Sequence, residues 1–178
     1  MRLRAVEPSD LDAFVAADAD TDGAQAGWRV FAPRPLWAAQ EWVAQAGRSA
    51  NDGDEFRLAI ESLGGSELVG TINTHTCDLA AGTCSYGVAV FPWHRRQGYG
   101  RDAVVVLLRY LFGERRYQKC TVGVYEFNEA SLAMHRMLGF REEGRIRRAH
   151  YAAGRHWDEI VLGLTVEEYA ERWGFPPP

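Results

Sequence analysis

Lysine is almost missing from this 178-residue chain: nineteen of its 20 basic residues are arginine, and Lys119 is the exception. That imbalance reads as genome composition, since arginine codons are rich in G and C. Cysteine is scarce as well. Cys77, Cys84 and Cys120 are odd in number and show no CxxC spacing, which argues against a disulfide framework and against a structural zinc site. No apolar run approaches the roughly 18 residues of a membrane span; the longest, Ala103 to Leu108, has six. An acidic residue, Glu7, arrives before a signal-peptide core can form. The expected compartment is therefore the cytoplasm, with no membrane partner. A dominant basic face is also lacking, because 24 acidic residues outnumber the basic ones and the net charge is -4. With a pI near 5.7, a nucleic-acid partner is not expected.

What is present is ordinary for one globular domain: 47% apolar, 25% charged and 12% aromatic residues. A chain of this length buries roughly 70% of its unfolded surface without staples. The charge is uneven. Residues 1–62 carry six Arg against eleven Asp and Glu, and the remaining 116 residues carry 14 basic and 13 acidic ones. Asp18, Asp20 and Asp22 in that acidic third either draw a cationic partner or simply confer solubility.

The pattern predicts a strand at Leu3 and Ala5, then a helix capped by Ser9 that buries Leu11, Phe14 and Val15. A second helix begins near Pro35, ends at Gly47 and offers Trp37, Trp42 and Val43 as its apolar face. Alternation at Phe56, Leu58 and Ile60, and again over 68–76 and 85–91, predicts three strands. They are joined by turns at Gly64-Gly65 and Ala80-Ala81-Gly82. Residues 101–112 are read as a buried helix, 119–125 as a strand and 128–138 as a helix closed by Gly139. An antiparallel pair over 140–148 and 158–164 follows, and Thr165 and Glu168 form a capping box for a last helix ending near Trp173. The order implies one parallel crossover in an otherwise antiparallel sheet, hence a mixed α/β sheet with helices on both faces.

Chemistry concentrates in Arg95-Arg96-Gln97-Gly98-Tyr99-Gly100, between a strand and a helix. Glycines allow a turn with unhindered N–H groups. The helix start adds unpaired donors and a positive dipole end, which together suit a phosphate or pyrophosphate. The segment is neither GxGxxG nor a GK[ST] loop, and a plain tight turn is the competing reading.

This loop resembles the [QR]-x-x-G-x-[GA] acetyl-CoA loop of the GCN5-related N-acetyltransferases. Residues 86–92 are similar to that family's fourth strand, and Val124 to Ser131 to its fifth strand and the Asn-x-x-Ser helix start. His135 to Phe140 resembles its "GF" ending. Glu143-Gly144, Gly154-Arg155 and Asp158 resemble the ribosomal-protein-alanine (RimJ/RimL-like) branch. The likeness spans about residues 1–173. It implies a single domain over 1–178 with splayed parallel fourth and fifth strands, acetyl-CoA as cofactor, no metal, and a small-molecule amine or peptide N-terminus as acceptor. It also implies a homodimer, since related enzymes are often dimers.

The resemblance assigns the cofactor to Val88, Ala89, Val90, Arg95, Arg96, Gln97, Gly98, Tyr99, Gly100, Arg101, Asn128 and Ser131. Ser131 is favoured as partner of the leaving thiolate, and Asn128 also makes a good helix cap. His135 stands where many relatives carry Tyr, and is either a second thiolate partner or a packed helix residue. The positions where relatives carry a glutamate base are Ser85 and Gly123. His75, Glu126, His94 or a water chain remain as bases, with His75 preferred for the intrinsic pKa of imidazole. The missing glutamates leave a second reading open, a non-catalytic acyl-CoA-binding or sensor module. Trp28, Trp37, Trp42 and Trp93 either line an acceptor pocket or pack.

Overall fold

The computed structural model describes residues 1–19, 32, 34–49 and 53–174. Its elements are β1 (Arg2–Ala5), α1 (Leu11–Asp18), α2 (Leu36–Ser49), β2 (Arg57–Glu61), β3 (Leu68–Asp78), β4 (Thr83–Val90), α3 (Tyr99–Gly113), β5 (Lys119–Tyr125), α4 (Glu129–Leu138), β6 (Arg141–Ala152), β7 (Arg155–Thr165) and α5 (Val166–Trp173). The strands follow the order β1-β2-β3-β4-β5-β7-β6 in one sheet, and that sheet is mixed, as the sequence predicts. The β4–β5 ladder is parallel and has two residue pairs, Thr83–Lys119 and Cys84–Cys120. The chain packs as two compact units. One comprises Met1–His75 and Gly87–Val104, the other Thr76–Tyr86 and Val105–Pro178.

In the first unit β1, β2 and β3 pair antiparallel, with Leu3 opposite Ile60 and Leu58 opposite Ile72. Helices α1 and α2 cover this part of the sheet with Phe14, Val43 and Ala46, which pack with Val6, Ala59 and Phe91. Phe14 meets Trp42 and Phe91 edge-on, at 4.9 and 5.7 Å between ring centres. Each such side chain contributes about 1.5–3 kcal/mol by leaving water. At Gly70, a Cβ would overlap the Ala89 carbonyl oxygen, so the absence of a side chain there lets β4 approach β3.

Four expectations fail here. The helix start is capped by a box between Glu7 and Asp10 rather than by Ser9. Asp10 is pulled inward by Arg4 and accepts from the Glu7 amide at 2.9 Å. Trp37 is 66% exposed, because the buried stripe of α2 is Ala39, Val43 and Ala46, at i, i+4 and i+7, and Trp37 lies on the far side. Gly47 does not end α2; a Cβ there would lie 2.9 Å from the Val6 carbonyl oxygen, so it is a close-approach glycine within the helix. In α1, Phe14 is buried while Val15 is 41% exposed.

In the second unit Cys120, Val122 and Val124 of β5 are buried and alternate with the more open Thr121, Gly123 and Tyr125. β5 pairs antiparallel with β7 from Lys119–Thr165 to Tyr125–Glu159. β6 and β7 extend past the predicted bounds into a long hairpin, with irregularities at Glu142/Gly144 and Ile146/His150. Leu107, Leu108, Leu111 and Phe112 of α3 are buried. Tyr169 of α5 meets Phe112 edge-on and donates its hydroxyl to the Val105 carbonyl at 3.0 Å. Gly139 ends α4 at φ +104°, and Thr165 and Glu168 cap α5, both as predicted.

Candidate functional site

The glycine loop belongs to the first unit. Strand β4 ends at Val90, Pro92–His94 make one tight turn, and the chain reverses through Arg96 at φ +60° and Gly98 at φ +86° before α3 begins. The Asp102 amide bonds to the Gly98 carbonyl at 3.1 Å, which leaves the amides of Tyr99, Gly100 and Arg101 ahead of the first helical bond. A Cβ on Gly98 would meet nothing within 4 Å, so the space in front of that backbone is open. Arg95, Arg96, Gln97 and Arg101 are exposed around it. Arg95 reaches back to the Val90 carbonyl at 3.3 Å, and Arg101 lies 3.2 Å from Asp102. These donors and cations match a pyrophosphate in charge and in hydrogen-bonding sense. On β4, Val88 and Val90 are half-buried and Ala89 is exposed. His75 lies on β3 in an exposed position.

The second unit brings together Asn128, Ser131 and His135. Asn128 Oδ1 accepts from the Ser131 amide at 3.1 Å and so caps α4. His135 Nδ1 lies 2.8 Å from the Ser131 carbonyl oxygen and 3.3 Å from Ser131 Oγ. A carbonyl only accepts, so Nδ1 carries the proton and Oγ is met by the same N–H. The hydroxyl proton of Ser131 is thereby left to point elsewhere. His135 is 3% exposed, lies nearly parallel to Tyr86 at 5.8 Å and meets Phe140 edge-on at 5.1 Å. Burial lowers its pKa, opposed by the bond to the Ser131 carbonyl, and the ring is neutral near pH 7. Neither His135 Nε2 nor the Tyr86 hydroxyl has a hydrogen-bond partner among the described residues. Burial, with Cys120 and Cys84 nearby, pushes the Tyr86 phenol well up.

Several other candidates are occupied. Glu126 and Asp158 share Arg145, at 2.9 and 3.0 Å. The Arg145 guanidinium and the Arg148 amide hold Asp158 low, with the amide the stronger influence. Asp18 pairs with Arg34, while Asp20, Asp22 and Trp28 lie outside the described residues. Trp93 is 50% exposed. Sequence reasoning missed Glu159. Its carboxylate lies where a side chain on Gly123 would be, a cross-strand relation that depends on the β5–β7 register. Among the described residues no group of three or more His, Cys, Asp or Glu could hold a metal, and no helix is long and apolar enough to cross a membrane.

The acetyltransferase (GNAT) domain family matches residues 1–141. Over 170 residues the chain is 35% identical to the SPbeta prophage-derived uncharacterized N-acetyltransferase YokL of Bacillus subtilis (strain 168), covering 95% of this chain and 92% of that protein. Its fold superposes on a crystal structure of a probable acetyltransferase with a TM-score of 0.81, at 24% identity over 93% of each chain. It also superposes on the spermidine N-acetyltransferase from Vibrio cholerae in complex with CoA and spermine, with a TM-score of 0.81 at 19% identity over 94% of this chain and 96% of that one. The chain belongs to the GNAT acetyltransferases. It is an N-acetyltransferase that uses acetyl-CoA and acts on an amine, and the reading as a non-catalytic module falls away.

Proposed function

We propose that residues 1–178 form a single domain of the RimJ/RimL-like branch. In this reading it acts in the cytoplasm as a homodimer and acetylates the primary amine of a small molecule or a peptide N-terminus. The observation that carries the site assignment is the backbone of the loop. Positive φ at Arg96 and Gly98, open space before Gly98 and a helix start directly behind it make an anion cradle. Bound there, acetyl-CoA supplies an acyl thioester open to attack by an amine.

The chain's own groups then divide the work. Arg95, Arg96, Gln97 and Arg101, with the amides from Arg96 to Arg101, hold the pyrophosphate. Val88, Ala89 and Val90 offer backbone groups to the amide arm and an N–H to the oxygen that gains charge. Asn128 fixes the start of α4, and Ser131 donates its hydroxyl proton to the departing sulfur. His135 directs that proton by meeting Oγ with Nδ1–H. Among the imidazoles, His75 on β3 is preferred over His94 as a group that relays the amine's proton to solvent.

Replacing Gly98 by valine tests the cradle. The backbone at φ +86° disfavours a side chain, and the added atoms occupy the space where the phosphates approach. Calorimetry on a variant whose melting stays cooperative should show acetyl-CoA affinity reduced at least tenfold. Affinity equal to wild type rejects the assignment.

A further inference from the structure

We propose that Glu159 is the carboxylate that receives the acceptor amine and takes its proton, reaching from β7 into the place left by Gly123 on β5. The inference rests on the acetyltransferase reading and adds a catalytic residue to it. Tyr125 is opposite Glu159 and Gly123 opposite Val161 in the antiparallel ladder, so these side-chain positions share one face of the sheet. On the other face Cys120, Val122 and Val124 are buried. A Cβ built on Gly123 would collide with Glu159 Oε1 and lie 2.7 Å from its Cδ. The glycine is what lets the neighbouring strand's carboxylate lie over β5.

Charge pairing separates Glu159 from the carboxylates around it. Glu143 lies over Gly163 in the same manner, but Lys119 holds it at 2.8 Å. Glu126 and Asp158 are tied to Arg145, and Glu168 is 3.0 Å from Arg141. Glu159 is half-buried, and its carboxylate makes no hydrogen bond or ion pair with any described residue. A carboxylate shielded from part of its water and left without a cation is suited to an ammonium ion. Beside it Tyr125 stacks on His150 at 4.2 Å, which adds an aromatic edge to the same face.

The proton balance is simple. An alkylamine with a pKa of about 10.4 arrives protonated near neutral pH. One N–H bond breaks and its proton passes to Glu159. The freed lone pair forms the C–N bond at the thioester carbonyl, and the C–S bond breaks. The sulfur takes a proton from Ser131, which is replenished from water. The second amine proton leaves to solvent, and the Glu159 proton follows before the next turnover.

The test uses the full chain, acetyl-CoA and methylamine, a primary amine small enough to need no shaped pocket, and reads free thiol. Glu159→Gln should lower kcat/KM for methylamine by about 10²–10⁴-fold, the usual reach of a general base, with calorimetric acetyl-CoA affinity unchanged. Combining Glu159→Ala with Gly123→Glu moves the carboxylate onto β5 and should recover at least a tenth of wild-type activity, which a structural role for Glu159 would not produce. Glu159→Gln within threefold of wild type overturns the proposal. So does a wild-type protein that binds acetyl-CoA without amine-dependent thiol release. A wild-type protein that does not bind acetyl-CoA overturns the acetyltransferase reading itself.

Discussion

In the first unit Arg4 lies between Asp10 and Glu61, which are 5% and 4% exposed, and bonds to both. In the second, His135 and Tyr86 are buried side by side, with a ring nitrogen and a hydroxyl that no described residue meets. The difference follows from charge. A buried carboxylate without a cation is too costly to keep, so the first unit closes every arm of its cluster, with Arg2 as a second partner of Glu61 at 2.6 Å. A neutral imidazole or phenol with one idle atom costs far less. It can be retained where it orients something else, here the Ser131 hydroxyl. The Arg4 cluster is thus closed by charge, while the Tyr86–His135 pair keeps an idle atom on each ring.

Breaking the ionic cluster should have the largest effect on stability. Arg4→Leu removes the hydrogen bonds at 2.7 and 2.8 Å to Asp10 and strands that carboxylate. The expected loss is about 2–4 kcal/mol, below the full figure for a buried pair because Arg4 keeps some contact with solvent. Thermal melting should fall by about 5–12 °C. Burial alone would raise the Asp10 pKa, yet the bonds from Arg4 and the Glu7 amide outweigh it and hold the carboxyl low. A lowered acid stabilises the fold above its unfolded pKa of about 3.9 and loses that contribution as pH falls through the folded value. The variant should therefore also lose part of the acid dependence below about pH 4. A melting temperature within 2 °C of wild type would show that the cluster is not the scaffold element described here.

The same contrast separates what was legible in the sequence from what was not. Local rules place β5 at Lys119–Tyr125, the αL glycine at 139 and the Thr165–Glu168 box where the structure has them. Each depends on a few adjacent residues. The [QR]-x-x-G-x-[GA] spacing likewise exposes the loop, because the proposed anion cradle is a property of contiguous backbone. The cap at Asp10 was misassigned because Arg4 and Glu61, 57 residues apart, decide where that carboxylate points. Glu159 was invisible for a related reason. Its relation to Gly123 exists only after β5 and β7 pair in one register, and nothing in either segment announces that register.

The buried imidazole offers a pH test of intermediate size. His135 has a lowered pKa in the folded state because burial penalises the charged ring. In the unfolded chain it takes a proton near pH 6.5. Between the folded value and about 6.5 the unfolded state binds more protons, so this residue's contribution is full above about pH 6.5 and declines as pH falls. Urea unfolding of wild type and His135→Leu at pH 7.5, 6.5 and 5.5 should give curves that converge toward acid. The slope difference should approach at most about 1.4 kcal/mol per pH unit. Parallel curves would mean that His135 charges as easily folded as unfolded, and its place among the neutral buried groups would be lost.

The smallest effect should come with the opposite sign. Tyr86→Phe removes a hydroxyl that has no partner among the described residues and keeps the ring, which packs on His135 at 5.8 Å and on Phe140 at 6.2 Å. Deleting one partner of a made hydrogen bond is destabilising, whereas deleting an idle buried polar atom returns its desolvation cost. The expected outcome is a gain of about 0.5–1.5 kcal/mol, or about 1–5 °C in melting temperature. The His135–Ser131 hydrogen bonds are untouched, so kcat with saturating acetyl-CoA should stay within about twofold of wild type. A loss of stability above about 1 kcal/mol would show that the hydroxyl is satisfied inside the folded protein, by water or by a residue outside those described. Tyr86 would then belong with Asp10 and Glu61 as a paired group, and His135 Nε2 would be the one idle atom of this ring pair.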